Sequence, residues 1–321
     1  MVPPNSVVVY RAGALGDLIV TFPVLHMLRE AWPHAKIALA APQEVGNLAV
    51  VSGWADRLLS AEAAWVGGWF AGNAAILHDA LGDADALLAF TRDEDGELER
   101  TARAAGISQV VMWPPLPRED RYIHVTDYLL GALEVWGVSV RKVASAGVVS
   151  PLIRTTPEMI AAGRAVVAGA GIEPGAPYVV VHTGSSSVRR NWPEMPRLVG
   201  LLKERTSLAV VLQRGPVEVE RGDTGAWPNG VPLVGPLSLA TLAGLIAGAA
   251  AYVGNNTGPS QLAAALGVPA VTVFGRRPSG GTDAPQWAPR GPRAVSVAPV
   301  GAAEWPTMEA TFEALIHLMR S

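Results

Sequence analysis

Apolar residues come in short unbroken runs, separated by stretches with helical spacing, and the two alternate along the whole chain. Residues 7–10 (VVVY), 36–40, 86–90 (ALLAF) and 109–112 are runs of the first kind. Four or five apolar residues bounded by turn signals read as a strand buried on both faces, as in a parallel sheet. Residues 45–51 and 98–105 read as helices, and residues 123–136 carry Val125, Leu129, Leu130 and Leu133 at helical spacing. Three prolines make residues 113–121 irregular. Small and polar residues, then Pro151 and Pro157, mark residues 139–157 as a linker.

The rhythm then restarts. A helix at 157–170 precedes a strand at 178–181 (YVVV), and Trp192-Pro193 opens a helix to about residue 205, since proline suits a first helical turn. Strands at 208–212 and 231–234 follow, then a helix at 238–249 that Ser238 can cap, and a strand ending at Tyr252-Val253. A helix at 259–266, a strand at 270–274, a Pro/Gly-rich loop at 276–293 and a terminal helix at 304–319 complete the chain. Strand–helix repetition implies parallel pairing through crossover helices. The expectation is α/β: two doubly wound units, residues 1–150 and 151–321.

A chain of 321 residues exceeds a typical domain of about 100–200, which agrees with two units. Half the residues are apolar and 17% are charged, enough for two cores. A net charge of -3 argues against nucleic acid as a partner, which calls for a basic surface. The absence of cysteine excludes disulfides and thiolate metal sites. The N-terminus lacks a basic region followed by a long apolar one, and residues 237–254 are too rich in Ala and Gly for a membrane span. A cytoplasmic protein with no integral membrane segment is expected.

Three loops follow predicted strands, where ligands bind in open α/β sheets. The first is Gly13-Ala14-Leu15-Gly16-Asp17. It is not a GxGxxG fingerprint, and its residues leave open whether Asp17 is a helix cap or a catalyst. The second, residues 182–191 (HTGSSSVRRN), offers hydroxyls and guanidinium groups suited to phosphate. The third, residues 254–261 (GNNTGPSQ), places Asn256, Thr257 and Gly258 at a helix start whose amides can bind an anion. The last two together point to one diphosphate between them. The acidic residues Asp83, Asp85, Asp93, Glu94 and Asp95 could offer oxygen ligands to a divalent metal, but their polar surroundings read better as a solvated loop and helix face. Six scattered His residues give no zinc spacing, so no metal site is expected.

Taken together, residues 11–17 (RAGALGD) with Phe22-Pro23 and Leu25, Arg190-Asn191-Trp192-Pro193, and residues 254–267 with Pro269 and Phe274-Gly275 resemble three signatures of glycosyltransferase family 9, the ADP-heptose:lipopolysaccharide heptosyltransferases. The resemblance implies a GT-B fold: two Rossmann-like doubly wound domains with an interdomain cleft, the acceptor side first and the nucleotide-sugar side second. A terminal helix that packs back on the first domain is common in such chains. The resemblance also implies inverting, metal-independent transfer of a sugar, above all heptose from ADP-heptose, to a hydroxyl of a glycolipid core or a small-molecule glycoside. No cofactor is needed beyond the donor, ADP-heptose or another nucleotide diphosphate sugar.

By that similarity Asp17 is the general base, and the Gly13–Gly16 turn presents it. Ser185, Ser186, Arg190, Asn256, Thr257, Gly258 and Gln261 hold the donor phosphates, Glu218 meets the ribose, and Leu237 lies beside the base. The family usually has Asp at Asn256, His at Gln261 and Lys at Arg190, so the departures fall on the donor side. Two further readings share these residues: a nucleotide-sugar epimerase of similar fold, and a non-catalytic nucleotide-sugar-binding relative.

Overall fold

The computed structural model describes residues 2–118, 122–140, 151–222, 226–277, 279 and 282–320. It divides into two compact units, Met1–Gly147 and Val148–Ser321. The expected linker at 139–157 and the expected boundary fall largely outside the described residues.

The first unit carries β1 (Ser6–Tyr10), β2 (Lys36–Ala41), β3 (Arg57–Ser60), β4 (Ala86–Phe90) and β5 (Gln109–Trp113), in the sheet order β3-β2-β1-β4-β5. All pairings are parallel. β1 and β4 are buried along nearly their whole length, as unbroken apolar runs require. Strands are added on one side of β1 and then on the other, so the order reverses between β1 and β4. That reversal is where loops part and a crevice opens beyond the carboxyl ends of the strands.

Residues 52–85 hold β3 and two helices, Ala64–Phe70 and Ala74–Leu81, that the apolar pattern does not reveal. β3 is an edge strand of four residues fixed by pairing to β2, and the helix AWVGGWF carries two glycines, which weaken the helical signal. Residues 123–136 split into an α-helix, Val125–Leu130, and a 3₁₀ turn, Gly131–Trp136, starting at a glycine.

The second unit carries β6 (Tyr178–His182), β7 (Ala209–Gln213), β8 (Leu233–Val234), β9 (Ala251–Asn255), β10 (Ala270–Val273) and β11 (Ala294–Val297), in the order β11-β10-β9-β6-β7-β8. Its strands are also all parallel, and the order reverses between β6 and β9. The sequence pattern leaves β11 unassigned, since Ala294–Val297 is short and follows a Pro/Gly-rich stretch. The terminal helix, Met308–Arg320, is built into this unit: Leu315 and Leu318 join the core formed by β6, β7, β9 and β10. Among the described residues no helix is long and apolar enough to cross a membrane.

Trp69 anchors the first core. It is fully buried, donates to the Leu98 carbonyl at 3.0 Å, and meets Tyr10 of β1 edge to face at 5.3 Å. We expect Trp69→Ala to lower the stability of the first unit by about 3–5 kcal/mol. Urea unfolding followed by circular dichroism checks this; a shift below about 1 kcal/mol would show that the site can collapse around the missing ring.

Candidate functional site

In the first unit β1 runs into Arg11 and the glycine turn, and a short helix, Leu15–Ile19, follows. Asp17 occupies the third position of that helix. Its Oδ2 accepts the Ala14 N–H at 3.1 Å, and its own backbone carbonyl accepts from Thr21 Oγ1 at 2.8 Å. Gly13 is needed here: a Cβ would stand 2.9 Å from Asp17 Cβ. Behind the carboxylate lies Arg11, only 2% exposed. Its Nη2 is 3.6 Å from Asp17 Oδ1, its Nη1 donates to Pro115 O at 3.1 Å, and the guanidinium stands over Phe90 at 5.9 Å. Burial pulls the Arg11 pKa below its ordinary value, and the charge of Asp17 opposes that shift. Asp17 is thus oriented by one backbone donor and one buried cation, yet its side chain stays 32% exposed. A cap and an available base are compatible roles in this geometry.

The acidic loop serves the helix after it. Asp93 accepts the N–H groups of Leu98 and Glu99 at 3.0 and 2.9 Å, capping helix Glu97–Ala104. No three His, Asp or Glu side chains among the described residues are grouped to hold a metal.

In the second unit the two loops expected to grip phosphate follow β6 and β9, the neighbours at the reversal of strand order. One side chain joins them. Asn255, the last residue of β9, is 1% exposed. Its Oδ1 accepts the Trp192 N–H at 2.9 Å and its Nδ2 donates to Gly184 O at 3.2 Å. Both ends of the serine loop therefore hang on the strand that leads into Asn256-Thr257-Gly258. Trp192, buried against Met195 and Leu198, anchors the far end of that loop.

The expected phosphate ligands divide in two. Ser186 and Arg190 are exposed and meet, Arg190 Nη2 donating to Ser186 Oγ at 2.6 Å. Asn256, Thr257 and Gly258 are partly exposed at the start of helix Gly258–Ala265, which has no side-chain cap. Ser185 and Gln261 turn inward instead. Ser185 is 1% exposed, and its hydroxyl lies 2.5 Å from Ser187 O and 2.8 Å from Asn191 Oδ1. Gln261 donates to Trp287 O at 2.8 Å, tying its helix to the short helix Ala284–Trp287 beyond β10. These two shape the loops, because a hydroxyl or amide buried at a turn first satisfies neighbouring backbone. Arg221 adds a brace, donating to the Ser185 and Ser186 carbonyls at 3.2 Å each.

Glu218 is also buried. It sits in the first turn of helix Pro216–Glu220, and its Oε2 accepts the Gly215 N–H at 2.7 Å. Gly184 must be glycine beside it, since a Cβ there would come within 2.6 Å of Glu218 Oε1. Next to it stands His182, whose Nδ1 is 2.6 Å from Gln213 Oε1. Gln213 donates through Nε2 to Arg214 O at 2.7 Å, so it presents its oxygen to His182, which carries its proton on Nδ1. Burial lowers the His182 pKa, with Glu218 and Gln213 pulling it up. Leu237, partly buried, lies in the loop between β8 and helix Leu239–Ala247.

Reasoning from sequence passes over Asn255, Arg221 and His182. The signal for Asn255 was its place at the end of an apolar run, where a polar residue is buried by the strand and must pair with something.

The fold is that of GT-B proteins, with two Rossmann-like units. A crystal structure of a glycosyl transferase family 9 protein from Veillonella parvula matches with a TM-score of 0.76 at 16% identity, over 98% of this chain and 97% of that one. The ADP-heptose lps heptosyltransferase II of E. coli matches with a TM-score of 0.74 at 16% identity, over 98% of each chain. Residues 156–311 match the sequence model of glycosyltransferase family 9 (heptosyltransferase). Lipopolysaccharide heptosyltransferase 1 of Pseudomonas aeruginosa is 37% identical over 118 residues, which is 36% of this chain and 33% of that relative. The alignment thus spans a third of the curated relative's length. The family model thus covers most of the second unit, and the solved structures share the fold over nearly the whole chain.

Two outcomes are expected from this geometry. Asn255→Ala leaves the Trp192 N–H and the Gly184 carbonyl without their partner, at about 1–3 kcal/mol for each buried group. Hydrogen exchange should therefore quicken at the Trp192 amide before the β6 strand opens; unchanged protection there would contradict the tie. His182 gives a pH dependence. Its folded pKa is depressed, so below about 6.5 the unfolded chain takes a proton that the fold refuses. Stability of the second unit should fall as pH drops from about 6.5 toward the folded pKa, and His182→Gln should flatten that slope. Urea midpoints between pH 7.5 and 5 check this; equal slopes in both proteins would contradict it.

Proposed function

We propose that this protein is an inverting glycosyltransferase that moves heptose from ADP-heptose to an acceptor hydroxyl, on a lipopolysaccharide-core-like glycolipid or a small glycoside, in the cytoplasm. The observation that carries the donor half is the Asn255 tie, which fixes a hydroxyl–arginine loop and an uncapped helix start on adjacent strands. The names of the heptosyltransferase relatives supply the donor and acceptor classes.

In this reading the acceptor oxygen attacks the anomeric carbon while Asp17 takes its proton. The bond from that carbon to the diphosphate oxygen breaks, and ADP leaves with the electron pair. Asp17 suits this task because its Oδ2 is held by the Ala14 amide while the side chain remains open to solvent. The charge growing on the diphosphate is met by Arg190, Ser186 and the amides at Thr257 and Gly258, groups already oriented before reaction. That set provides the stabilisation without calling on a metal. Asn256 contributes hydrogen bonds in place of the charge that the family's usual aspartate would bring.

The test is acceptor-dependent ADP release from ADP-heptose, with the glycoside product identified by mass spectrometry. Asp17→Asn should lower kcat by about 10²–10⁴ with ADP affinity retained, and Arg190→Ala should lower kcat by about 10²–10³. Wild-type turnover in Asp17→Asn would overturn the base assignment. An isomerised nucleotide sugar formed without acceptor would favour the epimerase, and ADP binding with no transfer to any acceptor would favour a binding protein.

A further inference from the structure

The carboxyl edge of the second sheet holds an arginine that nothing above uses. Arg214 follows β7 directly, one strand from the reversal point on the side away from β9. Its backbone is fixed: its N–H donates to Val234 O, and its carbonyl accepts from Gln213 Nε2. Its side chain is half-buried, and its Nε–H is shut off from water with no hydrogen-bond partner. Among the described residues no oxygen of the protein meets the rest of its guanidinium. Arg190 and Arg221, at the same edge, differ, since Arg190 ends on Ser186 and Arg221 on the Ser185 and Ser186 carbonyls. A guanidinium carries five donors and stays charged, so one left half-buried without an acceptor is arranged for an acceptor that the chain does not supply.

The rest of the edge says which acceptor. A diphosphate between the β6 and β9 loops leaves its nucleoside two directions along the sheet. Toward β10 the edge is closed: Phe274 is buried, and the Trp305 ring lies so near Gly275 that a Cβ there would stand 2.7 Å from it. Toward β7 the edge presents Glu218, between the turns at Gly184 and Gly215, and then Arg214. Toward β10 the arginines Arg276 and Arg277 already meet protein oxygens, those of Gly301 and Ala303 and of Asp283 and Gln286, whereas Arg214 toward β7 meets none among the described residues.

Resting on the donor-site reading above, we propose that Arg214 is a nucleoside-contacting residue of the donor site, donating Nε–H and a neighbouring Nη–H to acceptor atoms of the nucleoside. Glycosyl transfer itself does not pass through it.

Isothermal titration of the full-length protein tests this with two probes, ADP and inorganic pyrophosphate. Arg214→Met keeps the apolar stem and removes the donors. It should weaken ADP binding by about 10- to 100-fold, the range for a charge-assisted hydrogen bond, and leave pyrophosphate binding unchanged. Arg214→Lys, which keeps the charge but has no Nε–H, should stay weakened for ADP. Since Arg214 makes no side-chain hydrogen bond among the described residues, thermal unfolding of both variants should match wild type. ADP affinity unchanged in Arg214→Met, with wild type binding, would overturn the role of Arg214 alone. Equal loss for ADP and pyrophosphate would overturn the nucleoside assignment in favour of a phosphate contact. Failure of wild type to bind ADP would overturn the donor-site reading and this inference together.

Discussion

The side-chain amide of Asn255 faces both ends of one loop. It accepts from Trp192 and donates to Gly184, and it does so from the last residue of a strand buried on all sides. An amide in that position cannot be hydrated, so each lost partner leaves a buried polar group uncompensated. The loop and the strand are therefore held to one arrangement. Everything that could grip a diphosphate in the second unit depends on it: Ser186 and Arg190 on the loop, Thr257 and Gly258 just past the strand. Asn255 itself is buried, and each end of its amide already holds a partner in the loop.

The first unit reaches a similar end by other means. Its strand order also reverses beside its first strand, and Asp17 sits in the first turn of the short helix that follows that strand. There the organiser is a buried cation, Arg11, bonded to the Asp17 and Pro115 carbonyls and standing beside the Asp17 carboxylate. A buried charge is tolerable only when paired and hydrogen-bonded, so Arg11 and Asp17 constrain each other. Glycine at position 13 keeps the turn close enough for the Ala14 amide to reach the carboxylate. In both units the functional side chains stand on turns, and the residues that fix those turns are buried.

The strands nearest the two reversal points were legible because they are unbroken apolar runs, and burial on both faces leaves such a run no other stable state. β3, β11 and the helices in residues 52–85 were not, because their stability comes from pairing and packing rather than from their own pattern. The motif residues fell on the expected loops. What the chain could not reveal was direction. Of the paired serines, Ser185 turns in and Ser186 turns out; of the paired asparagines, Asn255 is structural and Asn256 is partly exposed. Direction at a turn is set by which backbone groups need a partner, and that depends on neighbours remote in the chain, as Asn255 and Trp192 are.

The most direct test is a crystal structure of the protein with ADP. The account predicts the diphosphate over the ends of β6 and β9, within hydrogen-bond distance of Ser186, Arg190 and the amides at Thr257 and Gly258, with the Asn255 bonds intact. A diphosphate bound elsewhere, or one that reaches those groups only after Asn255 has released Trp192 and Gly184, would contradict it.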